Sequence, residues 1–202
     1  MNRGQETEAK FHVRDLSKIK RRLEELTSSL IQPRVHEVNL RFDTPNGDLR
    51  RAKQVLRLRQ DEQARLTFKG PASKGDGVMS REEIEFVVED FERAKQFIEA
   101  LGYQTSAFYE KYRTTYELDG LHIMLDELPY GDFVEIEGEE IESIRRMTDR
   151  LGLRWEAAIE TSYLALFERV AVKRGLEKSR LSFDVLDNNK PNATELEVME
   201  GD

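Results

Sequence analysis

Apolar and charged residues alternate with a period of two along most of this chain, and that alternation restricts it to folds built from half-buried strands. Eight stretches carry the pattern: 6–13, 34–43, 55–61, 64–70, 80–89, 108–118, 121–127 and 133–138. In "RVHEVNLRFD" (34–43), Val38, Leu40 and Phe42 share one face; Glu37, Asn39, Arg41 and Asp43 share the other. In 55–61, Leu56 and Leu58 stand against Arg57 and Arg59, and in 64–70, Leu66 and Phe68 stand against Arg65, Thr67 and Lys69. Successive side chains of a strand point to opposite faces, so each stretch offers one apolar and one charged surface. Turn signals separate the stretches: "TPNGD" at 44–48, "PASKGDG" at 71–77, "DG" at 119–120 and "PYGD" at 129–132.

Helical spacing punctuates the strands. Residues 15–30 carry Leu16, Ile19, Leu23, Leu26 and Leu30, with Asp15 placed to cap the N-terminus. Residues 91–101 follow Asp90 and precede Gly102; residues 141–151 precede Gly152; a last helix spans about 159–174. These amphipathic helices need an apolar surface to pack on, and the sheet's apolar face supplies it. The charged faces then share the other side. A strongly twisted eight-stranded sheet curls or closes. The expected fold is therefore α+β: an eight-stranded antiparallel β-barrel with helices packed on the outside. Residues 1–175 form the domain, and 176–202 form an extension that is at least partly disordered. Its "LDNNKPNATELEVMEGD" is polar and acidic, and its "LSFDVL" (181–186) is suited to dock as a short element.

Closing the sheet this way fills its interior with charge of both signs. The bases are Lys10, Arg41, Arg57, Arg59, Arg65, Lys69, Arg81, Lys111 and Arg113; the acids are Glu6, Glu8, Glu83, Glu85, Asp126, Glu135 and Glu137. Such an interior is costly unless its charges are paired or bind ions. Acids recur at i and i+2 in Glu6/Glu8, Glu83/Glu85 and Glu135/Glu137, which places each pair on one face about 6.6 Å apart. Paired carboxylates suit hard divalent cations, and clustered Arg and Lys suit a polyphosphate. No Walker-type glycine-rich loop is present, so a phosphate cradle has to be built from side chains.

Composition narrows the partners. The 202 residues are 36% charged, above the roughly 25% of an average domain, yet the net charge is −8. No global basic field for nucleic acid exists. There are no cysteines, which removes disulfides, thiolate metal sites and a cysteine nucleophile. No apolar run is long enough for a signal core or a membrane span. A soluble cytoplasmic protein, without membrane or nucleic-acid partners, is the expectation. His12, His36 and His122 form no metal-like spacing, and Trp155 and Tyr163 read as packing residues of the closing helices.

"ETEAK" at 6–10 resembles the Glu-x-Glu-x-Lys signature of the CYTH superfamily, the triphosphate tunnel metalloenzymes. The resemblance continues through "RFDTP" (41–45), "LRLR" (56–59), "LTFKGP" (66–71), "REEIEF" (81–86) and "KYRTTY" (111–116). It extends over "LDELPYGDFVEIEG" (125–138) and "SYLALF" (162–167), covering residues 5 to about 170. It implies an eight-stranded tunnel that takes a triphosphate-containing small molecule with Mg²⁺ or Mn²⁺. Glu6, Glu8, Glu135 and Glu137 correspond to catalytic acids of the metal site, with Asp126 where the family has another metal ligand. Lys10, Arg57, Arg59, Lys69 and Arg113 correspond to triphosphate-binding bases; Lys111 and Arg81 line the same tunnel, as do Glu83 and Glu85. Arg41 departs from the family, standing where many members have an aromatic residue. The implied activity is a metal-dependent triphosphatase acting on tripolyphosphate, thiamine triphosphate or a nucleotide. The alternatives are a class IV (CyaB-type) adenylyl cyclase, which converts ATP to cyclic AMP and pyrophosphate, and a non-catalytic triphosphate-binding module. A homodimer is allowed, not required.

Overall fold

The alternating stretches become a closed ring. The computed structural model describes residues 5–186 and 190–202, with the side chains of Gln5, Glu6 and Lys74 outside the description. Nine strands come first in chain order: β1 (Gln5–Val13), β2 (Ser29–Asp43), β3 (Val55–Gln60), β4 (Ala64–Lys69), β5 (Ser73–Gly75), β6 (Val78–Val88), β7 (Gln104–Leu118), β8 (Leu121–Leu128) and β9 (Gly131–Gly138). Their order is β1-β9-β8-β7-β2-β3-β4-β6, and β6 pairs back onto β1 to close the ring. The ring pairings are antiparallel throughout. The short β5 extends the β4 edge along β6. The ring is uneven, because β2 and β7 run for 15 residues and β3 and β4 for six.

The apolar faces point outward, beneath the helices. Helices α1 (Leu16–Glu25), α2 (Asp48–Arg51), α3 (Phe91–Ala100), α4 (Ile141–Arg150), α5 (Tyr163–Arg174) and α6 (Ala193–Leu196) lie around the ring. Ile19 and Leu23 of α1 and Ile144 and Met147 of α4 pack with Ala9, Phe11, Ile123, Val134 and Ile136. Ile98 of α3 covers Phe42 and Leu58 on the opposite wall. The third cluster is different. Leu166, Phe167 and Val170 of α5 meet Phe133, which lies on the inward face of β9, with Tyr130 and Tyr163. The Phe133 ring sits 5.1 Å from Tyr163 and 5.4 Å from Tyr130. This aromatic plug packs between the inward face of β9 and α5.

Several boundaries differ from the sequence reading. The first helix stops at Glu25, because Thr27 takes a left-handed φ of 58°. Ser28 N–H then donates to the Leu23 carbonyl and Thr27 N–H to the Glu24 carbonyl, a Schellman ending without its usual glycine. Leu30, placed on the helical stripe, is instead an exposed residue of β2. β2 starts at Ser29 despite Pro33, which falls within a register shift between Gln32 and Val35, where a missing N–H is tolerated. The last helix begins at Tyr163 and not near 159; Ser162 caps it, after a short 3₁₀ turn at Trp155–Ala157. The four-residue α2 was not foreseen in "TPNGD": Asp43 accepts from the N–H groups of Leu49 and Arg50 and holds the turn.

The extension is described except for Asp187, Asn188 and Asn189. β10 (Arg180–Leu181) adds in parallel to β7 beyond the end of β8. Leu196 of α6 is fully buried against α5, and Arg174 grips Glu195 at 2.7 Å. Gly201 N–H donates to the His12 carbonyl. A few anchoring contacts hold a segment whose composition alone suggests disorder. Among the described residues no helix is long and apolar enough to cross a membrane.

Candidate active site inside the barrel

The register of the ring brings the inward side chains together. On β1, Glu8 stands opposite Glu137 of β9, and Lys10 stands opposite Glu135. Across the β1–β6 seam Glu8 faces Met79, with Arg81 two residues further on β6. Lys69 faces Glu83, Thr67 faces Glu85, Arg57 faces Thr67, and Arg41 faces Arg57. On β7, Lys111 faces Glu37 and Arg113 faces Asp126. The cavity between them holds about 460 Å³. Glu8, Lys10, Arg41, Arg57, Arg59, Lys69, Arg81, Glu83, Glu85, Lys111, Arg113, Glu135 and Glu137 line it, together with Tyr109 and the first turn of α5 at Ser162, Tyr163 and Leu164. Among the described residues, eight bases face five carboxylates on that wall.

Most of these charges are paired. Lys10 Nζ lies 3.1 Å from Glu135 and 3.7 Å from Glu8. Arg57 and Arg59 reach Glu85 at 3.4 and 3.0 Å, and Lys69 reaches Glu83 at 2.6 Å. Asp126, fully buried, is the most heavily used acceptor. It takes two hydrogen bonds from Arg113 (2.6 and 2.5 Å), one from Lys111 (3.0 Å) and one from the Tyr163 hydroxyl (2.8 Å). Arg113 also donates to Glu135, so it bridges two carboxylates. Burial pushes the Glu135 carboxyl up, but Lys10, then Arg113 and Lys111, outweigh it and hold it well below the ordinary carboxylate range. Burial likewise opposes ionisation of Glu37, and Lys111 and the arginines Arg113, Arg59 and Arg57 overcome it. Lys10, desolvated but beside Glu135 and Glu8, is held above its usual value.

Two arginines stand apart. Among the described residues no carboxylate lies within ion-pair distance of Arg41 or Arg81, and both line the cavity. Burial, with Arg81, Arg57 and Arg50 as neighbours, pushes the Arg41 guanidinium below its ordinary value.

The structure therefore places Glu8, Lys10, Arg57, Arg59, Lys69, Arg81, Lys111, Arg113, Glu135 and Glu137 on one wall system. The Glu6 side chain lies outside the described residues; its backbone pairs with Arg81. Asp126 is held with Arg113 and Lys111 rather than with the Glu8–Glu137 pair. On β8 the residue opposite Glu137 is His122, four residues from Asp126, or about 13 Å along the strand. Arg65 turns to Asp61 at 2.8 Å and is not part of the lining. His12 is buried against Phe133 at 5.2 Å, His36 pairs with Glu110, and His122 is exposed; none lines the cavity.

Sequence reasoning missed three participants. Glu37 lies on the expected polar face, yet nothing in its spacing marks it as the partner of Lys111 (3.8 Å) and Arg59 (3.8 Å). Tyr163 does more than pack: its ring lies 4.3 Å beneath Lys10 Nζ and 5.2 Å from Lys111 Nζ, within cation–π range. Tyr109 contributes to the wall from the same inward face of β7 as Lys111 and Arg113.

The carboxylates fit a divalent cation in a particular way. Among the described residues no three acidic or histidine groups converge as a ready-made ligand set. Glu8 and Glu137, adjacent in register, offer two hard oxygen donors. Mg²⁺ is commonly held by one or two carboxylates and completed by substrate phosphates, which this pair and the surrounding bases allow.

Comparison with known proteins agrees with this architecture. The family profile described as CYTH domain matches residues 4–148. A protein of Methanocaldococcus jannaschii, provisionally named an adenylate cyclase, is 28% identical over 173 residues, covering 80% of this chain and 97% of its own length. The structure of a Vibrio parahaemolyticus protein with a similarly provisional adenylate cyclase name superposes with a TM-score of 0.71 at 19% identity, over 81% of this chain and 97% of that one. A Hippeastrum protein, provisionally named an adenylyl cyclase and reported to have a dominant triphosphatase activity, superposes with a TM-score of 0.63 at 20% identity. It spans 85% of this chain and 97% of that one.

Proposed function

This chain belongs to the CYTH domain family, and we propose that it is a divalent-metal-dependent triphosphatase that cleaves a terminal phosphate from a triphosphate held inside the barrel. The observation that carries this reading is the cavity wall, where, among the described residues, bases outnumber carboxylates and Arg41 and Arg81 have no carboxylate within ion-pair distance. A polyanion is the ligand that such a wall lacks. Lys10, Arg57, Arg59, Lys69, Arg81, Lys111 and Arg113 would grip its oxygens and neutralise charge developing on the leaving phosphate. Glu8 and Glu137, with Glu135 beside them and Glu6 on the same strand, would hold Mg²⁺ or Mn²⁺. The ion would supply charge neutralisation and activation of a water. Attack of water on the terminal phosphorus breaks its bond to the bridging oxygen, releases orthophosphate and leaves the chain one phosphate shorter.

The cyclase alternative rests on the provisional names of related proteins. Among the described residues, Tyr109 and Tyr163 alone present rings inside the cavity, both are buried, and Tyr163 already lies beneath Lys10. An adenine therefore has no open aromatic face to stack on, which favours hydrolysis of a phosphate chain. The test is incubation with Mg²⁺ or Mn²⁺ and a panel of tripolyphosphate, thiamine triphosphate and ATP. Orthophosphate release supports the hydrolase. Cyclic AMP with pyrophosphate replaces it with the cyclase, and tight binding without product replaces it with a binding module.

Arg57 gives a sharper check. It lies between Thr67, Glu85 and Glu83, with its guanidinium at the wall. Arg57→Ala is expected to raise KM for tripolyphosphate by about tenfold or more, the loss of one or two charge-assisted hydrogen bonds. Steady-state kinetics with unchanged KM and kcat in this variant would remove Arg57 from the binding set.

A further inference from the structure

We propose that Arg41 receives a fourth phosphate group of a linear polyphosphate in a side pocket beside the main cavity, so that the protein prefers an anionic chain extension to an organic one. The inference rests on the triphosphate occupying the main cavity, as in the function proposed above.

A second pocket of about 260 Å³ adjoins the cavity, sharing Arg41, Ser162 and Leu164 with it. Arg41 thus stands at the junction, half-buried, with no carboxylate within ion-pair distance among the described residues. An arginine taken partly out of water without an acid partner is costly. An anionic ligand group would remove that cost, and the planar guanidinium can grip phosphate oxygens in pairs. The neighbouring charges add to the case: Arg81, Arg57 and Arg50 lie close enough to disfavour the Arg41 cation, so an anion beside Arg41 would also meet their positive charge.

The rest of the pocket suits phosphate and not a nucleoside. Its acids are already committed: Asp43 accepts from the backbone N–H groups of Thr44, Leu49 and Arg50, and Glu168 pairs with Arg50 at 3.2 Å. Ser106 and Ser179 add polar groups, and Lys178 stands exposed at the rim. The first turn of α5, a 12-residue helix with no acid in that turn, borders both spaces, and its partial positive charge favours an anion. Among the described residues that line the pocket the one aromatic, Phe42, is only 2% exposed and packs against α3, so it offers no open ring for a base to stack on.

The test compares tripolyphosphate, linear tetraphosphate and ATP with Mg²⁺, using the native protein, Arg41→Ala and Arg41→Lys. For the native protein, KM for tetraphosphate should lie below that for ATP. Arg41→Ala should raise KM for tetraphosphate about tenfold relative to KM for tripolyphosphate, one lost charge-assisted contact. Arg41→Lys should recover part of that loss. Equal losses for the two polyphosphates, no loss for either, or tighter use of ATP than of tetraphosphate would each overturn the proposal. Calorimetric Kd values for the same polyanions read the same ratio without turnover. A preserved ratio with no orthophosphate release would uphold the role of Arg41 and sink the hydrolase reading. A ratio near one alongside active hydrolysis would do the reverse.

Discussion

Glu137→Gln is expected to abolish Mg²⁺- or Mn²⁺-dependent orthophosphate release while leaving the fold intact. The substitution keeps the size of the side chain and an acceptor oxygen but removes the negative charge that a hard cation needs. Loss of residues that merely orient metal ligands already costs about 10–100-fold, so losing a ligand should cost at least as much. Glu8→Gln should behave alike, because Glu8 and Glu137 are register partners on adjacent strands and present one pair of carboxylates. Both variants should need more Mn²⁺ to recover any activity, and excess chelator should silence the native protein. The melting temperature of Glu8→Gln should stay close to the native value, since Lys10 keeps its closer partner Glu135 at 3.1 Å. Full turnover at ordinary metal concentrations in either variant would mean that the cation sits elsewhere.

The parts of this site that were legible in the sequence follow from one physical rule. Strand side chains alternate faces, so Glu8 and Lys10, Arg57 and Arg59, and Lys111 and Arg113 had to share a side wherever their strands lay. The helices' apolar stripes then determined which side faced in. Ala9 and Phe11 lie under α1 and α4 as that reasoning requires. What alternation does not encode is register. Nothing in residues 121–127 says that His122 and not Asp126 stands opposite Glu137, and a shift of a few residues decides which groups an acid meets. Nor does it encode contacts made between distant elements. Tyr163 reaches Asp126 from a helix 37 residues further along the chain. Its spacing within α5 looks like that of any packing residue, and it packs as one too, against Phe133. Glu37 was set on the right face, but its value depends on Lys111 and Arg59, which only the closed ring brings near.

Asp126 carries the second large expectation. Replacing it with Ala is expected to destabilise the protein by about 3–5 kcal/mol, because it leaves buried cations without their shared acceptor. Arg113 would keep only its bond to Glu135, Lys111 would keep only Glu37 at 3.8 Å, and the Tyr163 hydroxyl would lose its acceptor. For a chain of this length the melting temperature should fall by on the order of 10 °C, read by circular dichroism without added metal. Tyr163→Phe keeps the ring beneath Lys10 and removes one of the four hydrogen bonds to Asp126, so its loss should be near 1 kcal/mol. The two losses should not add in the double variant, since both touch the same carboxylate. The alternative role for Asp126, direct ligation of the cation, gives the opposite signature: little change in melting temperature without metal and a large rise in the metal concentration needed for turnover. Acid titration tests the same network. Glu135 and Glu37 are held below the ordinary carboxylate range by their cations. The stability they contribute is therefore complete above the unfolded carboxyl value of about 4.3 and declines as pH falls from there toward their folded values. The native protein should hold its melting temperature from neutrality down to about pH 5 and lose it below. A native melting temperature that stays flat to pH 3 would show that these buried carboxylates do not contribute the stability assigned to them.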